Sequence, residues 1–247
     1  MRVLAKFCAA ALALSLSVAA QAQEIVDVEL VLAADGSGSI DDDEFRVQRE
    51  GYAAAITDPD VLSAILGGAH GAAAISYIEW GGPASQHTIV DWMVIRGPAD
   101  AATFAERLRT APRVAQGYNS ISGAIDYAAE KIRSNDYEGL SKIIDVSGDG
   151  PQIGGRPLAL AREEAVAQGI TINALVVKRP GGGYPGPSGE PLETHYRNDV
   201  IGGLAPFVIV ADEKLTFGAA IRRKLILEIA GREPPGQGRM AETAASR

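Results

Sequence analysis

The chain has 247 residues, of which 47% are hydrophobic and 22% charged, a balance typical of globular proteins. Its formal net charge of −8 argues against nucleic-acid binding, because nucleic-acid-binding proteins neutralise phosphates with basic residues. The single cysteine excludes an intramolecular disulfide, a cysteine-rich zinc site and an iron–sulfur cluster.

The first 22 residues have the pattern of a secretory signal peptide. Arg2 and Lys6 precede an apolar run over residues 7–20, and Ala20-Gln21-Ala22 provides a cleavage site of the A-x-A type. The run is shorter than the ~20 residues of a membrane-spanning helix, and no later apolar segment reaches that length. Cleavage after Ala22 would leave 21 basic and 31 acidic residues, a net charge of −10, and no cysteine. We therefore expect a protein without a membrane span in the periplasm or outside the cell.

Apolar runs along the remaining chain predict the strands. The first is nearly continuous over residues 28–34 and ends at Asp35, as is typical of a strand buried on both faces. Further strands are predicted at 72–80, 88–95, 142–146, 170–177 and 207–210.

Helical spacing of apolar residues lies between most of these runs. One helix face is marked by Ile121, Ile125, Ala128 and Ile132, which lie four, three and four residues apart. A second helix near the C-terminus is marked by Phe217, Ile221, Leu225 and Ile229, with Arg222, Arg223 and Lys224 expected on its solvent side.

Strands that alternate with helices predict one α/β domain over residues 23–231, a doubly wound and mostly parallel sheet with helices on both faces. Residues 81–85, which join the second and third strands, are too few for a crossover, so one edge strand should be antiparallel. Nine of the thirteen residues in 179–191 are Gly or Pro, which predicts a loop. Residues 232–247 are expected to form a flexible C-terminal tail.

Polar oxygen-bearing side chains follow two of the predicted strands. The segment Asp35-Gly36-Ser37-Gly38-Ser39 comes directly after the first strand, and Ser147-Gly148-Asp149-Gly150 follows the fourth. Asn119-Ser120-Ile121-Ser122 opens a helix that could bring it to the same edge of the sheet. Ligands bind at the carboxyl ends of parallel strands, and carboxylate and hydroxyl oxygens are ligands that Mg²⁺ prefers. The sequence therefore predicts a cation site at this edge.

These three segments, in this order, resemble the metal-ion-dependent adhesion site of von Willebrand factor A (vWA) domains. Residues 35–40 are similar to the corresponding stretch of integrin inserted domains. Almost the whole mature chain also resembles a bacterial domain-of-unknown-function family of exported vWA-like proteins. The segments that carry this second resemblance are 48–52, 77–80, 120–126, 144–151, 200–203 and 220–225.

The resemblance implies a ligand set for Mg²⁺ or Mn²⁺. Ser37 and Ser39 would bind the cation through their hydroxyl groups, and Asp35 and Asp149 would bind it directly or through water. The position that is usually Thr in the family falls on Asn119, with Ser120 as the substitute candidate. The resemblance also implies that the remaining coordination position accepts an acidic side chain of a protein partner, or water.

Several other interpretations of these residues remain open. Asp35 and Ser37 could simply cap the first helix. Asp41 and Glu44 have capping-box spacing, which explains the acidic start of that helix without a second metal. His70, His87 and His195 form no metal-binding motif, and each is expected at the surface or hydrogen-bonded.

The favoured function is partner recognition without catalysis. A metal-dependent hydrolase of the cell envelope is one alternative, and it would need a general base near the open coordination position. A vWA fold that has lost its metal is the other alternative, and the Asn at position 119 would be its first sign.

Overall fold

The computed structural model describes residues 23–179 and 183–231, and six strands in these ranges form one sheet. The strands are β1 (Glu24–Asp35), β2 (Ala73–Trp80), β3 (Gln86–Ile95), β4 (Tyr137–Gly148), β5 (Ile170–Val177) and β6 (Val208–Ala211). Their order across the sheet is β3-β2-β1-β4-β5-β6, with β3 antiparallel to β2 and every other pair parallel. The predicted sheet with one antiparallel edge strand is confirmed. The predicted signal peptide and C-terminal tail lie outside the described residues.

Seven helices in the described ranges cover both faces of the sheet. They are α1 (Asp42–Ile56), α2 (Pro59–Leu66), α3 (Pro98–Thr110), α4 (Ile121–Arg133), α5 (Leu158–Ala167), α6 (Leu192–His195) and α7 (Phe217–Ala230), and α6 continues as a π-helical turn, Tyr196–Val200. Helices α1, α2, α3 and α7 pack on one face, and α4, α5 and α6 pack on the other. None of these helices has both the length and the apolar composition that crossing a membrane requires.

The apolar sequence of β1 follows from this two-sided packing. Leu30 and Leu32 belong to the core under α1, α3 and α7, whereas Val31 and Ala33 belong to the core under α4 and α5. Successive side chains of a strand point to opposite faces, so a central strand that is covered on both sides needs an apolar residue at nearly every position.

The paired central strands β1 and β4 begin earlier than the sequence predicts. Their first residues pair with each other, Glu24 with Tyr137 and Ile25 with Glu138, where polar residues break the apolar pattern. At the other end, Ala34 pairs with Ser147, so β1 and β4 finish side by side. This register brings Asp35 and Asp149 to the same edge of the sheet.

The predicted solvent position of Lys224 on α7 is wrong. Its side chain is fully buried, and its Nζ lies 2.8 Å from Asp145 Oδ1 on β4 and also pairs with Glu228 one turn along α7. Asp145 places a carboxylate in the apolar layer under α7, and burying such a charge requires an opposite charge beside it. Arg222 is partly exposed, as predicted for this side of the helix, and pairs with Asp58 at 3.0 Å.

Candidate metal site

The site is built at the carboxyl end of β1, where the chain turns sharply into α1. The N–H of Gly36 donates to the carbonyl of Trp80 (2.8 Å), which extends the pairing with β2 by one residue. A side chain at position 36 would collide with Ala115, whose Cβ would lie 2.8 Å from the added Cβ, so this turn requires glycine. The N–H of Ser37 then donates to Asp35 Oδ1 at 2.8 Å, which holds the carboxylate of Asp35 under the turn.

Four of the predicted ligands form one hydrogen-bonded set. The hydroxyl oxygens of Ser37 and Ser39 lie 2.9 Å apart, and the Ser39 hydroxyl donates to Asp149 Oδ1 at 3.2 Å. Asp35 and Ser37 are 0% exposed, and Asp149 is 3% exposed. Two carboxylates and two hydroxyl groups therefore converge in a largely buried space.

The electrostatics of this set favour a bound cation. Burial raises the pKa of Asp35 to about 7, and the nearby charge of Asp149 adds to the rise, while hydrogen bonds from Ser37 act against it. The Oδ2 atom of Asp35 is buried and has no hydrogen-bond partner in the described ranges. A buried carboxylate oxygen without a partner is costly, and a hard divalent cation would satisfy it. The donor set therefore fits Mg²⁺ or Mn²⁺.

The third loop places Asn119 and Ser120 in different roles. Asn119 is buried, its carbonyl accepts the N–H groups of Ile153 (2.9 Å) and Gly154 (3.2 Å), and its side-chain amide lies against Gly150, next to Asp149. Ser120 is the N-cap of α4, and its hydroxyl oxygen accepts from Gly123 N–H at 3.2 Å. Asn119 thus borders the turn that carries Asp149, whereas the Ser120 hydroxyl serves the helix.

Arg179 is a residue of this site that the sequence analysis missed. Its Nη2 atom lies 2.8 Å from Asp149 Oδ2 and 3.1 Å from Glu44 Oε2, and it also donates to the carbonyl of Ser39. Position 179 follows β5, the neighbour of β4, so it stands at the same edge of the sheet as the predicted ligands. In the sequence pattern, Arg179 is only the start of a Gly/Pro loop, and Glu44 is only part of a capping box.

Hydrogen bonds from neighbouring side chains to backbone carbonyl groups hold the two loops that carry the predicted ligands. Gln48 donates to the carbonyl of Asp35 (2.8 Å), and Arg113 donates to the carbonyls of Ile40 (2.6 Å) and Ser37 (3.2 Å). The hydroxyl of Tyr196 donates to the carbonyl of Gly150 at 3.0 Å. Burial, and then the charges of Asp35 and Asp149, raise the pKa of Tyr196 well above its usual value, so its hydroxyl stays protonated as a donor.

A second cluster, formed by Glu190, His195 and Asp199, is held by hydrogen bonds. The potential ligand atoms of these residues lie within 4.8 Å of one another, and His195 Nδ1 is 2.8 Å from Asp199 Oδ2. The N–H of Gln152 donates to His195 Nε2 at 3.4 Å. An imidazole that accepts at Nε2 carries its proton at Nδ1, where it donates to Asp199. His195 is therefore a buried and hydrogen-bonded histidine, as the sequence predicts, and Asp41 and Glu44 form the predicted capping box.

The family of this chain is shown by its sequence. A family model described as "Protein of unknown function (DUF1194)" matches residues 25–233. The chain belongs to the DUF1194 family. The predicted resemblance of this DUF1194 chain to a domain-of-unknown-function family is confirmed. No curated protein sequence shows significant similarity to it.

Solved structures similar to the DUF1194 chain are vWA-like. The pilus adhesin SpaC from Lactobacillus rhamnosus GG has a TM-score of 0.59 at 14% identity, over 84% of this chain and 32% of its own. The von Willebrand factor type A structure from Catenulispora acidiphila has a TM-score of 0.55 at 14% identity, over 83% and 42%. Proximal thread matrix protein 1 from the mussel byssus, with a zinc-occupied metal-ion-dependent adhesion site, has a TM-score of 0.53 at 13% identity, over 83% and 45%.

These similarities confirm the vWA-like fold. The DUF1194 chain spans less than half the length of each of the three chains. The zinc-occupied site belongs to the byssus protein, and the identities of 13–14% carry only the fold to this chain.

Proposed function

We propose that this chain is an exported binding module that holds Mg²⁺ or Mn²⁺ and uses it to recognise a protein partner through an acidic side chain. The observation that carries the proposal is the buried Asp35 Oδ2, which has no hydrogen-bond partner in the described chain. The neighbours of this carboxylate are Ser37 and Asp149, and Ser39 joins those two through hydrogen bonds. Asp35, Ser37, Ser39 and Asp149 would hold the cation, with Asn119 beside them.

The charge of the site suits such a partner. The carboxylates of Asp35 and Asp149 together offset a divalent cation, so the bound ion would supply a Lewis acid that can accept one more carboxylate. Without the cation, the two buried carboxylates and the negative net charge of the chain would repel an acidic partner.

Apolar side chains around the site favour a protein as the partner. Tyr118, which precedes Asn119, is 68% exposed, and Ile153, whose N–H binds the carbonyl of Asn119, is 64% exposed. On the other side, a cavity of about 130 Å³ is lined by Ile40, Val47, Val177 and Phe217 and is bordered by Asp149 and Arg179. Exposed aromatic and aliphatic side chains next to a polar anchor are typical of protein-binding surfaces.

The proposal gives the site no catalytic role. A metal-dependent hydrolase needs a general base beside the open coordination position. His195 lies in α6, which follows the Gly/Pro segment, and both of its ring nitrogens already have hydrogen-bond partners.

Two features support a location in the periplasm or outside the cell. Residues 1–22 have the signal-peptide pattern, and the mature chain contains no cysteine that an oxidising compartment could modify. SpaC, which shares the fold, is a pilus adhesin.

Calorimetry of the exported protein with MgCl₂ and MnCl₂ tests the cation site. We expect binding in the wild type, and loss of binding in Asp35→Asn and Asp149→Asn, because each substitution removes a charge that offsets the cation. Asp136→Asn is the matched control, since Asp136 is exposed and precedes β4 at the opposite end of the sheet. Absence of binding in the wild type, or equal binding in all variants, would contradict the site.

Capture from an envelope extract tests the partner. In repeated captures with Mg²⁺, the wild-type protein should retain one reproducible partner, and EDTA should release it. Asp35→Asn should not retain that partner in either buffer. Retention that is insensitive to both EDTA and Asp35→Asn would contradict recognition through the cation.

A further inference from the structure

The guanidinium group of Arg179 closes one side of the candidate metal site. Its Nη2 atom contacts Asp149 Oδ2 (2.8 Å), Glu44 Oε2 (3.1 Å) and the carbonyl oxygen of Ser39. The side chain is 27% exposed, so most of it is held between α1 and the β4 loop. Three contacts through one nitrogen fix the position of this group relative to the predicted ligands.

The two oxygens of Asp149 have different partners. Oδ1 accepts the hydroxyl of Ser39, which in turn contacts the hydroxyl of Ser37, whereas Oδ2 faces Arg179. Oδ1 therefore lies on the side of the hydroxyl groups and Oδ2 on the side of the guanidinium. A cation that the hydroxyl groups bind would use Oδ1, and Arg179 could keep Oδ2.

The charges point to the same arrangement. With Asp35 ionised, as cation binding requires, Asp35, Asp149 and Glu44 carry three negative charges, and Arg179 carries one positive charge. The remaining charge of −2 is one that a divalent cation would offset, so Arg179 and the cation would complement each other around the same carboxylates.

We propose that Arg179 is a positioning residue of the metal site, which holds Asp149 Oδ2 and thereby aims Oδ1 at the cation. This inference rests on the proposed function. Outer partners of a metal-ligating carboxylate orient it, here through an ion pair, and their removal typically weakens metal affinity by roughly 10–100-fold. The ion pair also ties the start of the Gly/Pro segment to the site.

Three variants of the exported protein test this role by calorimetry with MnCl₂. Arg179→Met keeps an apolar stem next to Val177 and Phe217 but removes the charge, and we expect it to bind roughly 10–100-fold more weakly. Arg179→Lys restores a charge with a different shape and should recover part of the affinity. Lys178→Met is the matched control, because the neighbouring Lys178 pairs with Glu193 (2.8 Å) and should leave the affinity unchanged.

Each other outcome overturns the inference. Unchanged affinity in Arg179→Met would show that Arg179 does not orient Asp149, and tighter binding would show that it competes with the cation. If Arg179→Lys gives no recovery while both variants lower the melting temperature of the metal-free protein equally, the effect belongs to folding. Wild-type binding that Asp35→Asn abolishes and Arg179→Met preserves would overturn this inference alone, whereas no binding by the wild type would also overturn the proposed function.

Discussion

Two pairs of buried carboxylates differ in how their charges are balanced. Each pair has one member on or just after β4, namely Asp145 in the first pair and Asp149, four residues later, in the second. Asp145 and Glu228 share Lys224, whose side chain is fully buried between α7 and the sheet. Asp149 pairs with Arg179, which lies at the rim, is 27% exposed and is shared with Glu44. Asp35 Oδ2, like Glu228 Oε2 of the first pair, has no hydrogen-bond partner in the described part of the chain. The buried Lys224 contacts both carboxylates of the first pair, whereas Arg179 contacts only one carboxylate of the second and does so from the rim.

This difference suits the Lys224 pair to a structural role and the pair at the sheet edge to the proposed binding role. Lys224 is part of the chain, so its pairing with Asp145 joins α7 to the centre of the sheet at all times. At the edge of the sheet, two buried carboxylates have only the rim residue Arg179 beside them, and the proposed function assigns the remaining positive charge to a cation. A buried ion pair is not in itself strong evidence of stability, but removal of one partner leaves an uncompensated charge.

The largest effect should follow from Lys224→Met, which leaves Asp145 and Glu228 buried without their cation. We expect the free energy of unfolding at pH 7 to fall by about 3–5 kcal/mol in urea titrations. Arg222→Met is the matched control on the same helix, and its partly exposed pair with Asp58 should contribute less than about 1 kcal/mol. Equal effects of the two substitutions would contradict the structural role of Lys224.

The dependence of the free energy of unfolding on pH tests the carboxylates of the same pair. Burial raises the pKa of Glu228 to about 7, Lys224 opposes the rise, and Asp145 adds to it, while Asn173 donates to Glu228 at 3.1 Å. Because the folded protein holds this proton more tightly than the unfolded chain, protonation stabilises the fold, and that contribution is lost as pH rises from about 4.5 to 7.

Glu228→Gln keeps the shape of the protonated form, so it should match the wild type at pH 4.5. At pH 8 it should be more stable than the wild type by an amount on the order of 2–3 kcal/mol. The difference between the two proteins is the relevant measurement, because Asp35 titrates in the same direction. A Glu228→Gln variant that is less stable than the wild type at pH 8 would contradict the raised pKa.

The position of Lys224 shows where sequence patterns stop being informative. Helical spacing places it beside Arg222 on the solvent side, and only the position of Asp145 across the core reverses that. The sequence contains half of the signal, since a charged residue in Ile143-Ile144-Asp145-Val146 must find a partner if the strand is buried. Which lysine or arginine supplies it depends on tertiary packing.

The candidate metal site is more predictable, because topology alone brings its parts together. Asp35 and Asp149 follow adjacent parallel strands, so the pattern of strands was enough to place them at one edge. Arg179 follows β5 by the same rule, but a basic residue that opens a Gly/Pro loop has no spacing signal that marks it. The capping role of Ser120 also depends on the three-dimensional structure, because the sequence favours Asn119 as the ligand and leaves Ser120 as the substitute candidate.

The smallest predicted effect separates the two carboxylate pairs most directly. In EDTA at pH 8, Asp35→Asn should raise the free energy of unfolding by about 1–2 kcal/mol, because it removes a buried charge whose Oδ2 has no partner. The opposite sign is expected for Lys224→Met, since that substitution creates an uncompensated charge. Urea titrations of both variants in the same buffer provide the measurement.

A divalent cation should then reverse the order of stability of the wild type and Asp35→Asn, and should not change the effect of Lys224→Met. At a concentration one hundred times the dissociation constant, a ligand that binds only the folded state adds about 2.7 kcal/mol to the free energy of unfolding. The wild type should gain this stabilisation in Mg²⁺ and overtake Asp35→Asn, which should gain none. Lys224→Met should gain as much as the wild type, because its defect lies in a site that no external cation reaches. If Mg²⁺ instead stabilised Asp35→Asn as much as the wild type, the two carboxylate pairs would not differ in the way the structure indicates.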